Sequence, residues 1–197
     1  MRQIGPALKM LVFMTLLTGG VYPFVVTEAG HFFFANKTEG SLVYNKAGQL
    51  IGSRLVAQQF KNPKYFWPRP SAIGYNPLPS GGSNLGPTSV VLKKEFEARR
   101  KRLTHADPGV GEPPQDLLFA SGSGLDPDIS PQAAVYQVPR VAKARRMDSN
   151  KVLALVLQYI QRRQWRVFGE PRVNVLELNM ALDKLNKQRS QKRESKK

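Results

Sequence analysis

The chain has 197 residues, with 30 Lys plus Arg against 14 Asp plus Glu and a formal net charge of +16. Hydrophobic residues at 41% and charged residues at 22% exclude a wholly disordered chain, and the length suits one domain, or one domain and an anchor. Cysteine is absent, which removes disulfides, thiolate zinc sites and cysteine nucleophiles, while 16 Gly and 15 Pro predict many turns and argue against a compact helical bundle.

The first element is Met10 to Thr27, MLVFMTLLTGGVYPFVVT, which carries no charge. As a helix rising about 1.5 Å per residue it measures roughly 27 Å, close to the hydrocarbon thickness of a bilayer. Lys9 can snorkel to the headgroups, and Gly19, Gly20 and Pro23 are better tolerated in a membrane helix than in a soluble one. The competing reading is a cleaved signal peptide, with Arg2 and Lys9 as its basic region and Thr27-Glu28-Ala29 as a poor cleavage site. The apolar run exceeds the roughly 7 to 15 residues of a signal core, which favours an anchor. No second apolar stretch follows.

The basic flanks nearly balance, Arg2 and Lys9 against Lys37 and Lys46. The α-amino group and the closeness of Lys9 favour a cytoplasmic N-terminus, with residues 28 to 197 outside the cytoplasm. Thr15, Thr18, Gly19 and Tyr22 fall at helical spacing and form a shallow groove that another membrane helix could approach; small residues facing lipid are the alternative.

Residues 41 to 57 predict a hairpin around Asn45-Lys46-Ala47-Gly48, with Val43, Leu50, Leu55 and Val56 as buried positions. Residues 60 to 88 hold six prolines and the aromatics Phe60, Tyr65, Phe66, Trp67 and Tyr75. Flexible linkers are not this aromatic, so an ordered loop packed by its own rings and facing a partner is expected. Thr88 or Ser89 caps a basic amphipathic helix to about Leu103, carrying Leu92, Phe96 and Leu103. Asp116 to Ala120 reads as a short strand. Ser130-Pro131 opens a helix that Pro139 must end or kink. Asp148 caps the next helix, with Val152, Leu155, Val156, Tyr159 and Ile160 as its apolar face. Asn174 caps the last, which aligns Val175, Leu178, Leu182 and Leu185. From Asn186 the tail is basic and almost without apolar residues, and is expected to be disordered.

Catalytic patterns are scarce. No glycine is followed by lysine, so there is no phosphate-binding P-loop, and Asp183-Lys184 does not continue as the Asp-Lys-Thr-Gly of a phosphorylated ion pump. Ser83 and Ser123 each lack one glycine of a nucleophile elbow. His31 and His105 lie far apart in sequence and lack thiolate partners for zinc. Asp126 and Asp128 resemble the start of a calcium loop, but Ser130 and Pro131 stand where ligand and glycine belong. The basic runs at 93 to 102 and 140 to 146 could hold phosphates, yet nucleic acid is not an expected partner of an anchored domain outside the cytoplasm. Residues 80 to 87, SGGSNLGP, are either an anion-binding nest of amides or a tight structural turn. Gly81 and Gly82 are expected to supply positive φ there.

Six stretches carry a resemblance to a known family: LLTGGVYP at 16 to 23, YFWPRPSA at 65 to 72, YNPLPSGGSNLGPTS at 75 to 89, ASGSGLDPDISPQAA at 120 to 134, QVPRVAKAR at 137 to 145 and GEPRVNVLELNMALDKL at 169 to 185. From about Ala7 to Leu185 the chain resembles KdpC, the C subunits of bacterial Kdp potassium-transporting ATPases. The resemblance implies an α+β chain of three parts: an anchor helix within 1–27, a single periplasmic α/β domain at 28–185 and an extra basic tail at 186–197. It implies placement in the inner (cytoplasmic) membrane, with the N-terminus in the cytoplasm. The implied partners are a potassium-channel-like subunit, a P-type ATPase subunit, a small membrane peptide and membrane lipid. The implied role is accessory and non-catalytic, with no catalytic residue, metal or cofactor on this chain and ATP, Mg and potassium used by the complex.

Because Ser80, Gly81, Gly82, Ser83 and Asn84 look like the signature loop of ABC transporters, the resemblance also implies an effect on the pump's ATP affinity. The segments Phe34 to Glu39 and Val56 to Gln58 depart from the family pattern. From the residues alone, the alternative is a membrane-anchored periplasmic hydrolase or binding protein built on the Ser83 or Ser123 loop.

Overall fold

The computed structural model describes residues 3–45 and 47–194. The chain divides into two compact units, Met1–Ile51 and Gly52–Lys197.

The first unit begins with α1 (Ile4–Leu16), a single wider π turn at Leu17–Val21, and α2 (Tyr22–Thr38). Together they make a 35-residue helical run, kinked at Phe34 (φ −137°), that is long and apolar enough to cross a membrane, and this chain buries none of its most apolar stretch. The π turn has a local cause. Pro23 offers no N–H to the carbonyl of Gly19 and its ring would press on it, and widening the turn before it relieves the clash.

The helix outruns the predicted Met10 to Thr27 because Glu28 and His31 end the apolar run without ending the helix. It stops where Gly40 turns left-handed (φ +81°), with the Gly40 N–H on the Lys37 carbonyl at 3.1 Å and the Ser41 N–H on the Asn36 carbonyl at 2.9 Å. These are the paired bonds of a Schellman cap.

The hairpin follows as β1 (Leu42–Tyr44) and β2 (Leu50–Ser53). Asn45 shapes its turn by accepting the N–H groups of Ala47 and Gln49, both at 2.9 Å; Lys46 lies outside the described residues. Val43 is buried as expected, but Leu50 and Leu55 are exposed and Val56 is only half-buried. Alternation along so short a ribbon gives it one inward position, and the chain beyond β2 buries Ala57 instead, whose N–H meets the Leu125 carbonyl at 2.9 Å.

Among the described residues, the second unit is built from helices, one two-residue ladder and two isolated bridges. Ser89 caps α3 (Val90–Ala106), accepting the Leu92 N–H at 3.3 Å. The predicted strand at Asp116 to Ala120 is instead the single-turn α4 (Gln115–Leu118), started by Pro114 and pinned by Asp116, which accepts the Ser130 N–H at 2.8 Å. Antiparallel to each other run β3 (Asp128–Ile129) and, later in the chain, β4 (Val173–Asn174), with Ile129 opposite Val173.

Ser130 caps α5 (Pro131–Tyr136), and Pro139 does end that helix: the chain breaks at Gln137 and restarts as α6 (Val138–Arg145). Asp148 caps α7 (Ser149–Gln158), and Asn174 caps α8 (Val175–Glu194) by accepting the Glu177 N–H at 3.1 Å. The tail read as disordered is helical as far as Glu194, since Lys, Gln, Arg and Glu propagate an established helix at little cost.

Leu103, Leu117, Ile129, Val141, Val152, Val156, Val173, Leu178 and Leu182 meet in one core, together with Phe66 and Trp67 from the proline-rich loop.

Candidate functional site

The proline-rich segment is ordered, but not by its rings alone. Phe66 and Trp67 run through the core without a neighbouring strand, so their backbone groups need other partners. Two buried side-chain amides supply them. Asn179 on α8 accepts the Phe66 N–H at 2.8 Å and donates to the Phe66 carbonyl at 3.0 Å. Gln137, in the break between α5 and α6, accepts the Trp67 N–H at 2.7 Å and donates to the Trp67 carbonyl at 3.1 Å. Each amide does what a paired strand residue would do.

Arginines fasten the preceding residues. Arg140 on α6 donates to the carbonyls of Pro63 at 2.7 Å and Tyr65 at 3.0 Å, to Gln137 Oε1 at 2.6 Å and to Asp107 Oδ2 at 3.0 Å, and lies 3.8 Å from the Trp67 ring centroid. Asp107 is 2% exposed, so the pair is sealed from water. Burial pushes the Asp107 carboxyl above its usual range, against the pull of Arg140. Burial likewise lowers Arg140, with Asp107 opposing. Arg145 donates to the Lys64 carbonyl at 2.7 Å and to Asp183 at 2.8 Å, and the Tyr65 hydroxyl donates to the other Asp183 oxygen at 3.1 Å. Burial and the Asp183 charge raise the Tyr65 phenol.

Beyond this clamp, the predicted loop residues Ser80, Gly81, Gly82, Ser83 and Asn84 lie against the loop Ser121–Gly124. The Ser80 hydroxyl and the Gly81 N–H both donate to the Ser123 carbonyl, at 2.9 and 3.0 Å. A nest for an anion needs its amides free, and the Gly81 N–H is already engaged. Gly81 and Gly82 do not have the positive φ expected of them, and Asn84 (φ +51°) is the left-handed residue of the five. Space at 82 is tight, because a Cβ there would stand 3.0 Å from the Gly122 carbonyl oxygen. Ser83 is half-buried and Asn84 exposed. Ser123 Oγ accepts the Leu125 N–H at 3.1 Å, and no histidine or carboxylate bonds to it or to Ser83 among the described residues.

Asp126 and Asp128, the calcium-like pair, are held by Arg69 and Arg172, each at 3.0 Å. No cluster of three metal-binding side chains occurs among the described residues.

On the apolar helix, Thr15, Thr18, Gly19 and Tyr22 are all exposed, and Thr18 donates back to the Met14 carbonyl at 2.7 Å. The π turn Leu17–Val21 contains Thr18 and Gly19 and separates Thr15 from Tyr22, so the four do not keep the regular α-helical spacing expected of them.

The polar residues of the clamp were missed as site residues in the sequence. Their signal was there: an asparagine among the apolar positions of the last helix, and a glutamine directly before a helix-breaking Val-Pro.

Comparison with known proteins agrees with the motifs. Residues 4–184 match the family model described as "KdpC: K+-transporting ATPase, c chain". The chain is 50% identical over 191 residues to a "Potassium-transporting ATPase KdpC subunit" of Geotalea uraniireducens, covering 95% of this chain and 100% of the relative. Proteins of the same description share 48% identity over 189 residues in Geobacter sulfurreducens, covering 94% and 99%, and 51% over 180 residues in Polynucleobacter asymbioticus, covering 89% and 95%. With the family model spanning nearly its whole length and relatives matched end to end, this chain belongs to the KdpC family, the c chains of K+-transporting ATPases.

Proposed function

We propose that this chain is an accessory, non-catalytic subunit of an ATP-driven potassium uptake complex, and that its work is to hold the complex together. Its helix crosses the inner membrane with the N-terminus in the cytoplasm, and its second unit lies in the periplasm. The helix packs beside a potassium-channel-like subunit, a P-type ATPase subunit and a small membrane peptide. ATP, Mg and potassium are handled by those partners, and this chain binds no cofactor of its own.

The observation that carries the reading is the uncovered helix Ile4–Thr38 in a chain whose relatives are named as subunits of a potassium-transporting ATPase. A domain with its polar side chains engaged in holding a loop suits docking better than turnover. The Ser80 to Asn84 loop supports the same view, because its contact with Ser123 builds a rigid surface. Any effect on the ATP affinity of the pump then passes through subunit contacts.

The test is to purify the complex from detergent-solubilised membranes with and without this chain. Loss of stable association among the other subunits, or of potassium-stimulated ATPase activity, is the expected result. Full activity of a stable complex lacking the chain would overturn the proposal and reopen the hydrolase or binding-protein reading.

A further inference from the structure

Between α7 and β4 the chain leaves the core and returns as a narrow hairpin, bridged at its base by Gln161 and Arg172 and near its tip by Gln164 and Phe168. Arg163 and Glu170 tie the two arms together at 2.7 Å. The turn closes with the Val167 N–H on the Gln164 carbonyl at 3.1 Å, and both central residues are left-handed, Trp165 at φ +48° and Arg166 at φ +66°. This is the mirror-image hairpin turn that Asn-Gly makes with least strain. A bulky residue in that conformation is strained, and such strain persists where side chains serve a function.

The side chains so displayed are apolar and uncovered. Trp165 is 87% exposed, Val167 68% and Phe168 60%, with the two rings edge to face at 5.9 Å. Arg162 and Arg166 flank them. Arg163 is engaged by Glu170, but no carboxylate among the described residues pairs with Arg162 or Arg166.

We propose that this hairpin tip is a second membrane contact: Trp165, Val167 and Phe168 enter the boundary between headgroups and acyl chains, and Arg162 and Arg166 hold the phosphates of anionic phospholipids. Indole and phenyl rings favour that depth, and guanidinium groups bind phosphate in a forked geometry. A complementary negative surface is what two unpaired arginines around an apolar tip require, and an anionic bilayer provides one. The chain is tethered to a bilayer by its own helix, so that surface is always close by and a weak contact suffices. The inference rests on the anchored reading of Ile4–Thr38 above.

The test uses the full chain in nanodiscs of phosphatidylcholine with phosphatidylglycerol, some of the lipid brominated near the headgroup. The chain has two tryptophans, and Trp67 is buried, so the Trp165→Phe variant assigns the signal. Expected are quenching of Trp165 by the brominated lipid and protection of Trp165 from acrylamide. Both should fall several-fold in Arg162→Gln/Arg166→Gln and in discs of phosphatidylcholine alone.

Circular dichroism of the variants reports the fold, and co-elution with the disc reports the anchor. Loss of tip contact with co-elution intact therefore defeats this inference alone, whereas failure of the wild type to enter discs defeats the anchored reading. Trp165 remaining open to acrylamide in anionic discs would overturn the proposal. So would protection that arises only when the other subunits are added, which would make the tip a protein-docking site.

Discussion

Asn179 satisfies both backbone polar groups of Phe66, a residue 113 positions earlier in the chain, through a single side-chain amide. Both partners are buried, Phe66 completely and Asn179 at 2% exposure. Water cannot replace the amide if it is lost. Asn179→Leu should therefore strand an N–H and a carbonyl and lower stability by about 2 to 4 kcal/mol. Denaturant unfolding of the full chain in detergent measures this, and a loss under about 0.5 kcal/mol, the size of a surface change, would refute it.

Asp107 and Arg140 form a sealed pair at 3.0 Å, with side chains 0% and 4% exposed. Asp107→Leu should remove the acceptors of the Arg140 backbone N–H and Nε–H and cost about 3 kcal/mol or more. A pH signature accompanies the pair. Burial raises the folded carboxyl above its unfolded value, so the folded chain keeps this proton after the unfolded chain has lost it. The stability contributed by the group is then greatest below about pH 4, the unfolded range, and declines as pH rises through the raised folded value. Melting curves across that window should show this decline in the wild type and lack it in Asp107→Leu.

Three glycines near the Ser80 to Asn84 loop should respond differently to alanine. At Gly124 (φ +68°) a Cβ would stand 2.5 Å from Ile73 Cγ1 and 2.8 Å from the Gly81 carbonyl oxygen, so Gly124→Ala should cost about 2 kcal/mol or more. Gly82→Ala, 3.0 Å from the Gly122 oxygen, should cost about 1 kcal/mol. Gly81→Ala meets nothing within 4 Å and should leave the melting temperature nearly unchanged. An equal effect at all three would mean that the contact with Ser121–Gly124 is not what constrains the loop.

The apolar helix Ile4–Thr38 gives a prediction with a built-in control. A Cβ at Gly19 meets nothing within 4 Å in this chain, so Gly19→Leu should leave its own fold and its resistance to alkaline extraction intact. Close helix approach in lipid depends on such small residues. The yield of the purified complex should fall, and an unchanged yield would show that this face meets only lipid.

How legible the molecule was in its sequence depends on the range of the interaction. Caps at Ser89, Ser130, Asp148 and Asn174 were readable because a cap is a short-range bond between neighbours. The break at Pro139 and the apolar stripe of α7 were readable for the same reason. The segment 116–120 was misread as a strand because its single turn is fixed from outside, by Ser130 on Asp116. The π turn and the extension of the helix to Thr38 were missed because both depend on where a proline or a charge can be tolerated rather than on the apolar count. The Ser80 to Asn84 loop stands out in the sequence by its glycine and serine content, but its contact at Ser123 lies 43 residues away from Ser80. The clamp of Gln137, Arg140 and Asn179 left only a faint trace, since no local rule says which polar residue on an apolar face will close on which loop.

The clamp also sets an order of events during synthesis. Phe66 and Trp67 emerge early, yet the groups that seat them arrive 70 and 113 residues later, with Gln137 and then Asn179. Until α8 has formed, a growing chain carries the aromatic segment unlatched, with its amides free to water and its rings open to any protease or chaperone nearby. Long loop closure of this kind comes late, because its entropy must be lost before its contacts form. Chains cut short just before Asn179 should thus keep α3 to α7 largely assembled while being cleaved readily between Phe60 and Tyr75, whereas chains ending just beyond Asp183 should resist.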